Sequence, residues 1–110
     1  MHILLTRNLD DSKELILKFS NLGHQVSHMP VIRIEKVEHE EINFDDYKAI
    51  IFTSANALKF LDTKKINKNI LCFSVGSSTE KKALSLGFQN VISANGNVRA
   101  LKELIIQNFH

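Results

Sequence analysis

An apolar segment that runs directly into a helix-forming pattern, residues 49–58, constrains the fold of this chain more than any other feature. Residues 50–52 are β-branched or aromatic, which predicts a short buried strand. Thr53 and Ser54 follow as suitable N-cap residues, and the apolar residues after them have helical spacing. A strand that leads at once into a helix leaves unpaired backbone N–H groups beyond its carboxyl end, and such groups favour anions.

The same arrangement recurs twice in looser form, at residues 71–79 and at residues 3–7. Each is an apolar run that ends in hydroxyl-bearing residues, so three strand ends carry Thr or Ser. Strands that alternate with helices in this way indicate an α/β fold with a parallel sheet covered on both faces. Because open α/β sheets bind ligands at the carboxyl edge of their strands, we expect the ligand site there.

The first third of the chain predicts a strand, a helix and a second strand. The strands are expected at residues 2–6 and 25–29. Asp10 or Asp11 is expected to cap the helix between them. Counted from Asp11, Glu14 falls at the position that completes a capping-box-like arrangement.

Two irregular segments follow this first β-strand–helix–β-strand unit. Residues 31–37 alternate between apolar and charged side chains, which predicts an edge ribbon after Pro30. Residues 38–46 are acidic and lack periodicity, so they are expected to be a connector. Both segments are assigned to a single domain that covers residues 1–110.

The rest of the chain keeps the strand–helix rhythm. The elements expected after the strand at 50–52 are a helix at about 54–62, a strand at 70–75, a helix ending at 86–87, a strand at 90–93 and a last helix capped by Asn97. Ser77, with Glu80 three residues later, is a second capping-box candidate and is expected to open the middle helix.

Size and composition exclude several classes of function. A chain of 110 residues, 44% apolar and 24% charged, is typical of one soluble globular domain. A net charge of +2 without a long Lys/Arg run gives no indication of nucleic-acid binding. No apolar run approaches membrane-spanning length, and a strand that begins right after Met1 leaves no room for a signal peptide. The expected location is therefore the cytoplasm.

Neither metal binding nor covalent catalysis is indicated. His24 and His28 are four residues apart, but in an extended strand this spacing does not build a helical metal face. The single cysteine, Cys72, lies inside an apolar strand, which favours a packing role over a nucleophile or metal ligand. We expect no metal site.

Small polar residues at the three strand ends form the predicted ligand site. Their hydroxyls and the helix N-termini suit a ligand with carboxylates or phosphates, and Arg7 could add a bidentate clamp. None of them is an obvious general base or nucleophile, and helix capping alone would account for each one taken singly. The predicted site residues are Thr6, Arg7, Thr53, Ser54, Ala55, Asn56, Gly76, Ser77, Ser78 and Thr79.

Four ordered blocks of the sequence resemble uroporphyrinogen-III synthase: ILLTR at 3–7, PVIRI at 30–34, YKAIIFTSANA at 47–57 and FSVGSST at 73–79. The resemblance implies a flavodoxin-like, three-layer α/β domain with parallel strand order 2-1-3-4-5, in which the strand at 50–52 is interior. It also implies a lyase of tetrapyrrole (heme, siroheme and cobalamin) biosynthesis. That enzyme closes hydroxymethylbilane to uroporphyrinogen III, inverts the last pyrrole ring and releases water, without a cofactor.

The resemblance also implies roles for particular residues. Thr53, Ser54, Asn56 and residues 77–79 fall on loops that face the substrate in this family. Thr79 matches the threonine of the family's Val-Gly-x-x-Thr motif and is expected near the reacting end of the substrate. The small-molecule partner would be the substrate hydroxymethylbilane. Neither nucleic acid nor a membrane is an expected partner, as the composition indicates.

One departure concerns length, because members of this family usually have two such domains joined by a two-stranded ribbon, with the substrate in the cleft. This chain is about half as long. A fragment, a half-size homodimer and an inactive copy all fit, and a dimer could form through the ribbon at 31–37 or by exchange of the first β-strand–helix–β-strand unit. The alternative function is a non-catalytic flavodoxin-like module that binds a small anionic ligand or a partner protein.

Overall fold

The computed structural model describes residues 1–109 of the chain. They belong to two compact units, Met1–Lys36 and Val37–His110, of which the second is described from 37 to 109. The described strands form one parallel sheet of two strands and one of three. Organisation of the whole chain as a single domain stays a prediction.

The first unit consists of β1 (His2–Leu5), α1 (Leu9–Asn21) and β2 (Gln25–His28). The two strands pair in parallel over their whole length. Parallel neighbours need a crossover connection, and α1 provides it. The strand–helix–strand order predicted for this part of the chain is confirmed.

The N-cap of α1 is Asn8, and the predicted cap at Asp10 or Asp11 is wrong. The Asn8 side-chain oxygen accepts a hydrogen bond from the backbone N–H of Asp11 at 3.0 Å, so the helix begins at Leu9. Both aspartates instead lie in the first turn, where the helix dipole favours carboxylates. Asn and Asp are equally good caps, so residue type alone does not distinguish Asn8 from the two aspartates.

The second unit repeats the strand–helix alternation with three strands. Its elements in order are a 3₁₀ turn at Phe44–Asp46, β3 (Ala49–Phe52), α2 (Ala55–Phe60), a 3₁₀ turn at Thr63–Lys65, β4 (Leu71–Val75), α3 (Ser77–Ser85), β5 (Asn90–Ala94) and α4 (Val98–Asn108). All three strands are parallel, in the order β3-β4-β5. Each element predicted after residue 49 is confirmed, with ends displaced by one or two residues.

Helices cover both faces of the three-stranded sheet, and each face has its own core. Phe52 and Cys72 pack with Leu58 of α2 on one face. Phe73 packs with Leu101 of α4 on the other. Burying a side chain such as Phe73 contributes about 2 kcal/mol, so β4, which is buried on both faces, is the centre of the core.

Residues 31–37 do not form a strand, which corrects the predicted edge ribbon. They have no helix, strand, turn or bend. The Val31 N–H donates to the Thr6 carbonyl at 3.1 Å, but within the described residues no backbone hydrogen bond ties 32–37 to a neighbouring strand. The alternating pattern is present, but a strand exists only where a partner satisfies its backbone groups.

The α/β class with parallel strands is confirmed. The pairings β1-β2 and β3-β4-β5 are both parts of the predicted order 2-1-3-4-5. The full order also requires β1 to pair with β3, and that pairing stays a prediction. In the sheet to which it belongs, β3 is an end strand rather than an interior one.

Candidate functional site

Two turns that follow neighbouring strands of the second unit begin at the same sheet edge. β3 ends at Phe52, opposite Ser74, and β4 ends at Val75, opposite Ala94 of β5. The N–H of Gly76 donates to the Ala94 carbonyl at 3.2 Å and extends this pairing by one residue. The turns after β3 and β4 therefore start side by side at the carboxyl edge, where open α/β sheets bind ligands.

In the turn after β3, Ser54 caps α2, as its residue type predicts. Its hydroxyl oxygen accepts a hydrogen bond from the Asn56 N–H at 3.2 Å. Thr53 and Ser54 are exposed, whereas Ala55 and Asn56 in the first turn of α2 are partly buried. Because Ser54 already satisfies one N–H group of this helix, fewer remain for a ligand.

In the turn after β4, Gly76 and not Ser77 is the N-cap of α3, so the predicted capping box of Ser77 and Glu80 is wrong. Gly76 has φ 85° and ψ 155° and makes no side-chain cap. That conformation is open to glycine and strained for serine, which explains why the cap falls there. The N–H groups in the first turn of α3 are consequently left without a side-chain acceptor from the cap.

The surface at the start of α3 is open. A Cβ atom built on Gly76 would have no heavy atom within 4 Å, and Ser77 and Ser78 are exposed. Thr79, by contrast, is only 4% exposed. Two hydroxyls are thus accessible to a ligand beside uncapped N–H groups, and the third lies mostly in the interior.

Thr6 and Arg7 follow β1 in the other compact unit. The Arg7 carbonyl accepts hydrogen bonds from the Ser12 hydroxyl at 3.3 Å and from a ring nitrogen of His28 at 2.7 Å, which fixes the backbone of this turn. The Arg7 guanidinium is 62% exposed and 3.8 Å from Asp11. Exposed pairs of this kind contribute about 0–1 kcal/mol, so a ligand carboxylate could compete for the guanidinium.

Two structural features near the carboxyl edge of the sheet involve residues that are not among the predicted site residues. The exposed turn at 95–97 follows β5, and Asn97 caps α4 by accepting from the Ala100 N–H at 3.0 Å. Ser74 and Ser93 lie opposite each other on β4 and β5, and within the described residues their buried hydroxyls have no hydrogen-bond partner. The strand–turn–helix pattern could have indicated the first feature, whereas the second requires the strand register.

Two cavities of the second unit lie away from this edge, in front of β3 and β4. One, of about 380 Å³, is lined by residues 41–45 and Lys65. The other, of about 290 Å³, is lined by side chains of the 3₁₀ turn before β3 and of the loop before β4. Neither cavity is lined by a predicted site residue. Both are lined by a mixture of acidic, amide and Lys side chains that does not indicate one kind of ligand.

Cys72 is a packing residue of the core. It is fully buried in β4, and burial raises the pKa of its thiol from 9.0 to about 11, while the nearby Lys68 ammonium acts in the opposite direction. A thiol with this pKa is protonated at neutral pH and is a poor nucleophile. The packing role predicted from its position agrees with this.

The described residues 1–109 hold no group of three His, Cys, Asp or Glu side chains placed to bind a metal ion. Nor do they include a helix with the length and apolar character needed to cross a membrane. The predicted site residues offer backbone N–H groups, hydroxyls and one guanidinium. These are the groups that hold carboxylates and phosphates.

A comparison with protein families shows the family of this chain. The sequence model of the family described as uroporphyrinogen-III synthase HemD matches residues 13–110. The chain belongs to this family. Membership of the uroporphyrinogen-III synthase family indicates a related function in tetrapyrrole biosynthesis. A search of curated proteins gives no match.

The part of the chain that matches uroporphyrinogen-III synthase includes both turns at the carboxyl edge of the three-stranded sheet. Thr53 to Asn56 and Gly76 to Thr79 therefore lie within the family match. Thr6 and Arg7 precede it, and their place in the site rests on the sequence blocks alone.

Proposed function

We propose that this chain carries uroporphyrinogen-III synthase activity or forms one domain of that enzyme. In the reaction hydroxymethylbilane closes to uroporphyrinogen III, the last pyrrole ring is inverted and water is released. The observation that carries the proposal is the family match over residues 13–110, which contains the open turns after β3 and β4. No cofactor is part of the proposal.

The substrate supplies most of the reactivity. Its terminal hydroxymethyl group loses hydroxide with electron donation from the adjacent pyrrole nitrogen. The methylene carbon that remains bonds to the α carbon of the last pyrrole ring that already carries a bridge; the older bridge bond breaks and re-forms at the ring's free α carbon, whose proton completes the water. The protein must hold a flexible polycarboxylate so that the ring closes at the correct carbon. Catalysis by proximity and orientation can supply several orders of magnitude in rate.

The start of α3 is the part of the site best suited to bind the substrate's carboxylates. The first-turn N–H groups have no side-chain cap, the hydroxyls of Ser77 and Ser78 are exposed beside them, and the space over Gly76 is open. A helix N-terminus with free N–H groups favours anions. Thr53 and Ser54, which follow the neighbouring strand, would hold a second acetate or propionate group.

Thr79 is the best candidate for a hydroxyl near the reacting end. Its low exposure means that it would contact the substrate only where a reacting group sits deep against α3. Arg7, in the first unit, offers a guanidinium that could hold a carboxylate of the substrate through two hydrogen bonds. In these roles both residues bind and orient the substrate and neither transfers a proton.

We also propose that a second protein surface completes the site by covering the bound substrate. The proposed location of the protein is the cytoplasm. In water the bilane cyclises without inversion, so a substrate held on one open surface would gain little from binding. A second copy of the chain is the simplest source of such a covering surface. The exposed residues of the turns after β3 and β4 support this requirement, since neither turn would enclose a ligand by itself.

Incubation of the purified protein with freshly prepared hydroxymethylbilane tests the proposal. The products are oxidised and the type I and type III isomers are separated by chromatography. Isomer III above the level formed without protein supports the enzyme. Isomer I alone, formed at the rate without protein, contradicts activity of the chain by itself and favours the non-catalytic binding module.

A further inference from the structure

Residues 31–37, with the sequence Val-Ile-Arg-Ile-Glu-Lys-Val, form a segment with unused hydrogen-bonding groups. The segment contains no turn or bend. The side chains of Val31, Ile32 and Val37 are exposed by 66%, 58% and 77%, and Ile34 is partly buried. Exposed backbone groups beside alternating apolar side chains are the features by which an edge strand recruits a partner.

The hydrogen bond from Val31 to Thr6 indicates which side of the segment is free. In an extended chain the N–H and C=O groups of every second residue point to the same side. Since the Val31 N–H donates to the Thr6 carbonyl, the groups of Ile32, Ile34 and Lys36 would be directed the other way when the segment is extended. Within residues 1–109 these three residues make no backbone hydrogen bond to a neighbouring strand.

A second copy of the same segment fits this free side when it runs antiparallel and Ile34 meets itself. The remaining pairs are then Ile32 with Lys36, Arg33 with Glu35, and Val31 with Val37. Pairing through Ile32, Ile34 and Lys36 would give about six backbone hydrogen bonds between the two copies. This register uses the backbone groups of three residues that make no hydrogen bond to a neighbouring strand within residues 1–109.

The charges of the segment are complementary in the same register. Arg33 and Glu35 lie at the pairs without backbone hydrogen bonds, where opposed side chains approach most closely. Within one chain their side chains already meet at 2.6 Å, with both exposed. The two-fold relation would place each Arg33 opposite the Glu35 of the other copy, and opposed unlike charges stabilise cross-strand pairs.

We propose that two copies of this chain associate through residues 31–37, paired antiparallel about a two-fold axis at Ile34. The partner is a second copy because the segment is complementary to itself in backbone direction, charge and apolar pattern, so each contact occurs twice. The pairing involves no substrate and is therefore tested independently of the proposed function.

Charge reversals test the register. Arg33→Glu places Glu opposite Glu35, and Glu35→Arg places Arg opposite Arg33, so each variant should dimerise roughly tenfold more weakly than the parent chain or worse. An equimolar mixture of the two variants should form mixed dimers, because each unlike pair is restored across the interface. The double variant R33E/E35R should regain dimerisation for the same reason.

Sedimentation equilibrium gives the dissociation constants, and native mass spectrometry with one isotope-labelled variant identifies mixed dimers. Lys18→Glu and Glu14→Lys reverse the same charges in an ion pair on α1, at 3.0 Å, and should leave dimerisation unchanged. Circular dichroism confirms that every variant is folded. A parent chain that stays monomeric up to millimolar concentration overturns the proposal. So does a dimer that both charge reversals leave unaffected, because it forms by another surface or by exchange of the first unit.

Discussion

Ser74 and Ser93 lie opposite each other on β4 and β5, and both hydroxyl oxygens are buried with no hydrogen-bond partner within the described residues. They share a sheet face with Phe52, the face that α2 and α3 cover. Both residues come immediately before the strand ends that lead to the open edge. A buried polar group without a partner costs roughly 1–3 kcal/mol, so this pair lowers the stability of the sheet close to the site.

Replacement of Ser74 by Ala should therefore leave the free energy of unfolding unchanged or raise it by up to about 1 kcal/mol. Ser12→Ala is the matched control, since Ser12 is also fully buried but its hydroxyl donates to the Arg7 carbonyl. That control should lose roughly 1 kcal/mol. Denaturant unfolding of both variants gives the comparison, and equal losses at the two positions would contradict the assignment of Ser74 as unpaired.

Gly76→Ala should lower the free energy of unfolding by about 1–3 kcal/mol, because φ 85° with ψ 155° is strained for any residue with a Cβ atom. Steric contact is not the cause, since the space around the new atom is empty. Ser77→Ala is the control and should change stability by less than about 0.5 kcal/mol. A loss of about 1 kcal/mol in Ser77→Ala would instead identify Ser77 as the N-cap.

The Cys72 thiol should make the protein less stable as the pH rises from 9 to 11. Its pKa is raised to about 11 in the folded chain, so the unfolded chain loses this proton first and unfolding becomes easier above pH 9. The contribution reaches up to about 2–3 kcal/mol. Denaturant unfolding of the parent and of Cys72→Ala measures it. The variant should show a shallower decline over this range, and identical slopes would show that the thiol is not the group involved.

Thr79→Val tests the hydroxyl that the family resemblance places near the reacting end. Valine keeps the shape of the nearly buried side chain, so folding should change little. If the hydroxyl contacts a charged group of the substrate, binding should weaken by roughly 1–3 kcal/mol. Calorimetric titration with a stable bilane analogue measures this. Thr63→Val, in the 3₁₀ turn before β4, is the control. Equal affinities in all three proteins would leave Thr79 with a structural role alone.

The strands and the Ser54 cap could be predicted because their signals are local. Residues 50–52 are apolar and β-branched or aromatic, and Ser54 stands directly before helical spacing. The N-caps of α1 and α3 could not be predicted so well, since Asn8 competes with Asp10 and Asp11 as a cap. At Gly76 a backbone angle, rather than a side chain, decides where the helix begins.

The pairing partners of the strands could not be predicted from local signals. Residues 31–37 alternate as a strand would, but whether they pair depends on groups elsewhere in the chain or in another copy. The opposition of Ser74 and Ser93 likewise follows from the register of β4 and β5, which no local pattern specifies. The hydroxyl-rich turns were predictable as a set, whereas the burial of Thr79 depends on how α3 packs.

The isomer composition formed from hydroxymethylbilane by the purified chain is the direct test of the proposed synthase activity. The measurement is made over a concentration series that spans the dissociation constant of any dimer. We expect isomer III to exceed isomer I, with the proportion of isomer III rising as the protein assembles. Isomer I as the only product at every concentration, formed no faster than in buffer, would contradict the assignment of uroporphyrinogen-III synthase activity to this chain.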